Sequence, residues 1–107
     1  MCSIRKKVLI NEQAIDEFWQ WFVENENWII EKQRKDGHNI ICAIDEKLIP
    51  VFDGYKKELE FYYGFNDGKG EFIFCDSRNK NLRLGAEKII AKTPKTLNEK
   101  WMFSIEH

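Results

Sequence analysis

The stretch FWQWFVENENWII, from Phe18 to Ile30, most constrains what this chain can fold into. Eight of its thirteen residues are apolar, three of them tryptophan. Alternation would scatter them over both faces of a strand. A helix gathers most of them on one side. On a wheel of about 100° per residue, with Ile15 at zero, Phe18, Trp19, Phe22, Ile29 and Ile30 fall within about 60° of it. That is a core stripe. Trp21 and Trp28 fall on the other side, one above the other, near Glu17 and Glu24. The spacing predicts a helix over 11–35. Asn11 is its N-cap, with Ile10 and Ile15 at staple positions. Asp16 and Glu17 lie near its start, Lys32, Arg34 and Lys35 near its end, as the macrodipole favours. Gly37 is its expected stop.

A second helix is expected over 39–49, with Ile41, Ile44 and Leu48 on its apolar face and Pro50 closing it. The period then changes to two. LEFYYGF alternates Leu59, Phe61, Tyr63 and Phe65 against Glu60, Tyr62 and Gly64. NDGKG is a turn signal, and EFIFCD is the returning strand, so 58–76 reads as a hairpin. NKNLRLGAEKIIAKT, 79–93, is a third helix with Leu82, Ala86, Ile89, Ile90 and Thr93 on its apolar face. KWMFSIE is a last strand, with Trp101, Phe103 and Ile105 on one side. If the third helix crosses the sheet, this strand runs parallel to the one before it, and its neighbour can be either hairpin strand. RKKVLI can add an edge strand near the start. The order α-α-β-β-α-β implies an α+β, two-layer domain, its small, mainly antiparallel sheet covered by helices.

A chain of 107 residues is one domain, and it buries roughly two thirds of its unfolded surface on folding. The net charge of −1 draws it to neither nucleic acid nor membrane as a whole. Residues 77–100 are locally basic, with seven basic against two acidic side chains. No apolar run of about 18 residues exists to span a membrane. The three cysteines, Cys2, Cys42 and Cys75, are odd in number and lack CxxC spacing. They read as reduced thiols of a cytoplasmic protein, with Cys42 and Cys75 buried.

FWQWFVENE, FIFCDSRNKNL, AEKIIAKTPK and a closing W-x-F strand together resemble a group of small uncharacterised bacterial proteins. The resemblance spans about residues 18–105. It implies the fold rather than an activity, because the shared motifs are packing and turn signatures. The turn after the second strand usually carries an Ala-Asp-Gly-Asn-like run in that group. Here it is Asp76-Ser77-Arg78-Asn79, and only Asn79 keeps its place.

Three features are candidates for function, and the usual marks of catalysis are missing. His38, read as a loop residue, and His107 show no metal-ligand spacing, no Cys–His or Ser–His pairing is suggested, and NDGKG precedes a strand rather than a helix. The expectation is a chain that is not an enzyme and uses neither metal nor cofactor. Glu26 lies inside the apolar stripe, about 20° from Ile15 on the wheel, where a carboxylate needs a partner. It reads as the organiser of a polar seam, and alternatively as a catalytic acid or base. Lys80, Arg83, Lys88, Lys92 and Lys95 surround the third helix and offer nucleic-acid contacts as a second reading. Trp21 and Trp28, with Glu24 between them, are the leading candidates for binding a protein partner or a second copy, as tryptophan is favoured at hot spots. The same two rings are equally explained by a helix sandwiched between neighbours.

Overall fold

The structure is a computed structural model that describes residues 9–53, 60–66, 68–75 and 80–106. Leu59, the first four residues of RKKVLI, Cys2, Asp76 to Asn79 and His107 fall outside those residues.

A two-residue strand β1, Leu9–Ile10, leads into helix α1, Glu12–Lys32. Asn11 caps α1 as expected, its Oδ1 accepting from the Ala14 N–H at 3.1 Å. Helix α2, Gly37–Leu48, follows, then a 3-10 turn, Ile49–Val51, that contains Pro50. Strand β2, Phe52–Asp53, pairs antiparallel with β1. So the N-terminal strand exists, but in a separate two-stranded ribbon rather than on the main sheet. That sheet holds β3 (Phe61–Asn66), β4 (Lys69–Phe74) and β5 (Trp101–Ile105) in the order β3-β4-β5. Helix α3, Lys80–Ala91, and a 3-10 turn, Lys95–Glu99, connect β4 to β5. Pair β3–β4 is antiparallel and pair β4–β5 parallel. The hairpin closes at the Asn66–Lys69 pair, with Gly68 at φ 79°, a left-handed conformation that suits glycine.

The register sends Phe61, Tyr63, Phe65, Gly70, Phe72, Phe74, Trp101, Phe103 and Ile105 to one face of the sheet. Helix α1 lies on that face. Trp19 meets Phe103 edge-on at 4.9 Å, and Phe22 meets Trp101 at 5.1 Å and Phe103 at 5.6 Å. Helix α3 lies beside α1, where the Trp19 indole N–H donates to the Ile89 carbonyl at 2.9 Å. The domain is therefore α+β and two-layered.

Three local expectations change. Gly37 does not stop α1; it opens α2, which follows after a short turn with Asp36 at the N-cap. The inner face of the second helix is the Ile40 line rather than the Ile41 line, so Ile40, Ile44 and Leu48 are buried and Ile41 is 43% exposed. Cys42, on the opposite side from Ile40 and Ile44, is exposed, and Cys75 is half-buried. Two spacings that looked apolar in the sequence thus held a surface thiol and a marginal one.

Two glycines mark close approaches. At Gly70 an added Cβ would stand 2.6 Å from the Trp101 ring. At Gly85, within α3, it would stand 2.2 Å from Phe52 Cε1 and 3.1 Å from Ile10 Cδ1, so the β1–β2 ribbon seats on α3. Gly85→Ala improves helix propensity by about 1 kcal/mol. Overlap with a buried ring costs about 1–3 kcal/mol. The variant is expected to melt at a lower temperature than the wild type, and a thermal scan by circular dichroism checks it.

Candidate functional site

Among the described residues, only one face of the main sheet is covered. Tyr62, Glu71, Met102 and Glu106 are exposed on the other, with Ile73 and Ser104 half-buried between them. Gly64 leaves a shallow depression bordered by Tyr62, Glu71 and Ile73. The Tyr62 hydroxyl donates to Glu106 Oε2 at 2.9 Å, joining the two outer strands across this face.

Strand β3 is an edge of that sheet. The Cys75 N–H donates to the Glu60 carbonyl, so Glu60 and Cys75 form a hydrogen-bonded pair. Antiparallel ladders alternate, so Tyr62, Gly64 and Asn66 bond to β4, while the backbone groups of Phe61, Tyr63 and Phe65 point away from it. Among the described residues no strand pairs with that side. The strand reads FYYGFN, without a charge or a proline. The strand itself thus carries neither the charge nor the proline that often prevents strand addition. The rings of Phe61, Tyr63 and Phe65 are half-buried, with Phe61 stacked on Phe72 at 5.0 Å and Phe65 edge-on to Trp101 at 5.0 Å.

Burial pushes the Tyr63 hydroxyl above its ordinary value of 10.0. The folded state therefore holds this proton to higher pH than the unfolded state. The associated stability is complete below pH 10 and is lost as pH rises through the folded value. Tyr63→Phe is expected to retain more of its neutral-pH stability at about pH 11 than the wild type does, measured by urea denaturation at both pH values.

The candidate residues do not converge on one place. Trp21 and Trp28 are half-buried and pack against the core, while Glu24 is exposed. On the wheel they share a flank with buried Ala14, away from the sheet-facing Trp19 and Phe22, and α2 packs on α1. Part of each ring is thus taken up by the core, and the remainder stays exposed.

Of the basic set, Lys80, Arg83, Lys92 and Lys95 are exposed and Lys88 is half-buried. Lys92 lies 3.6 Å from Glu12 and 3.4 Å from Asp16, and Lys88 lies 3.8 Å from Glu12. Exposed pairs of this kind add little stability. They do neutralise part of the basic face with acids from α1.

Glu26 is half-buried, and its Oε2 accepts from Trp101 Nε1 at 3.1 Å. Gly70 lets the indole lie against β4, and Phe22 packs on the ring at 5.1 Å. The carboxylate thereby ties α1 to β5. An indole N–H left without an acceptor costs about 1–3 kcal/mol. Glu26→Leu is expected to lose stability in that range by chemical denaturation, and Glu26→Gln, which keeps an acceptor, much less.

The sequence reading missed the contact between Cys42 Sγ and His38 Nε2, 3.7 Å apart on exposed α2. The signal was present as H-x-x-x-C, but it has meaning only once His38 stands inside the helix. Among the described residues no group of three or more His, Cys, Asp or Glu is placed to hold a metal. Nor, among them, is any helix long and apolar enough to cross a membrane.

The class defined by these features is a two-layer α+β domain in which, among the described residues, one sheet face is bare and β3 is an unpaired edge. In comparisons with protein-family models, curated proteins and solved structures, nothing matches this chain.

Proposed function

We propose that this chain is a non-catalytic protein–protein interaction module of the bacterial cytoplasm, of the kind that covers or regulates another protein, as an immunity protein does. The observation that supports it best is the β3 edge. Its outward backbone groups at Phe61, Tyr63 and Phe65 suit an added strand, and flanking rings offer side-chain contacts. The ligand on this reading is an extended segment of another protein. Trp21, Trp28 and Glu24 are a secondary contact, since part of each indole belongs to the fold. Nucleic-acid binding draws less support, because Lys88 and Lys92 are engaged by Glu12 and Asp16. An enzyme built on Glu26 draws less again, since its carboxylate serves Trp101.

The test is selection of peptides from a displayed library on immobilised protein, followed by amide exchange of the complex by NMR. A selected peptide is expected to slow exchange at Phe61, Tyr63 and Phe65 and to bind Tyr62→Lys more weakly, because a lysine on an edge strand opposes pairing. The introduced ammonium can keep a link to Glu106, so the variant is expected to fold. Protection confined to α1 around Trp21 and Trp28 would move the docking site to the ridge. Binding only to RNA, with a steep loss on adding salt, would replace this reading with the lysine helix.

A further inference from the structure

The His38–Cys42 pair has the geometry of a chelate. The two residues stand one helical turn apart on α2, both exposed, with Cys42 Sγ 3.7 Å from His38 Nε2. Zinc takes thiolate sulfur at about 2.3 Å and imidazole nitrogen at about 2.1 Å, and a tetrahedral angle between them sets S and N about 3.6 Å apart. The observed separation matches that bite. Neither side chain has to cross the surface to reach an ion, and the helix between them holds both backbones rigid. Thiolate with imidazole is a donor set for zinc, cobalt or copper rather than for magnesium or calcium.

We infer that His38 and Cys42 form a surface binding site for one thiophilic divalent metal ion of the zinc class. The chain supplies two donors, and solvent fills the remaining positions. Neither residue is part of the core, so the site is independent of the β3 edge and of the proposed interaction role. Because the ion binds the folded arrangement, it also raises the stability of α2.

Cobalt(II) titration of the whole chain under reducing conditions tests the inference. The wild type is expected to develop a thiolate-to-cobalt charge-transfer band in the near ultraviolet, and zinc is expected to displace it. Cys42→Ser is expected to abolish the band. His38→Ala is expected to weaken cobalt binding by at least about tenfold, the lower end of what even an outer-shell partner contributes. Circular dichroism confirms that both variants are folded, as their exposed positions lead one to expect. A band that survives in Cys42→Ser would assign the metal to Cys2 or Cys75 and overturn the inference. Cobalt affinity unchanged by His38→Ala would overturn it as well, by reducing the site to a single thiol.

Discussion

Phe22 is the contact on which the two layers depend. It is fully buried, and its ring meets Phe18 and Trp19 on α1 and Phe72, Trp101 and Phe103 on the sheet. Most of these pairs are edge-on or tilted, the arrangement aromatic quadrupoles prefer. A strand hairpin alone would be marginal in water. The aromatic face becomes stable because α1 removes it from solvent. Every other feature of the layer arrangement follows from that docking. It sets Trp19 against the end of α3, places Glu26 over Trp101, and leaves the reverse of the sheet bare among the described residues.

Polar groups then fix how α1 meets its neighbours, α3 in one case and the sheet in the other. Two indole N–H groups carry this role, Trp19 to the Ile89 carbonyl and Trp101 to Glu26. Hydrophobic contact alone is non-directional and would tolerate sliding. A buried donor that must meet one acceptor does not. Gly70 and Gly85 are the steric counterparts, each admitting an aromatic ring where a methyl group would collide.

The helix stripe, the capped start of α1, the hairpin and its turn, and the existence of the last strand were legible because each is a local pattern. Hydrophobic period and turn chemistry act over a few residues. The errors share one origin. Gly37 is a plausible end for α1 when only the preceding residues are weighed. It becomes the start of α2 because the second helix folds back along the first and needs its Ile40 line facing inward. That shift brought His38 into the helix, and the choice of the Ile40 line as the inner face left Ile41 and Cys42 outward. Trp21 and Trp28 were ambiguous because only the packing around α1 determines how much of each ring is covered.

The sequence by itself determined the three α-helices, the hairpin and the last strand to within a few residues at their ends, that the domain is α+β, and that one stripe of α1 is core. Those properties come from spacing along the chain and survive any arrangement of the elements. Only the tertiary structure decided that β5 pairs with β4, that Glu26 meets Trp101, that Lys88 and Lys92 lie on α1's acids, and that β3 is an edge of the main sheet. Each of these joins residues far apart in sequence, and their meeting depends on how whole faces pack, a quantity no local period carries.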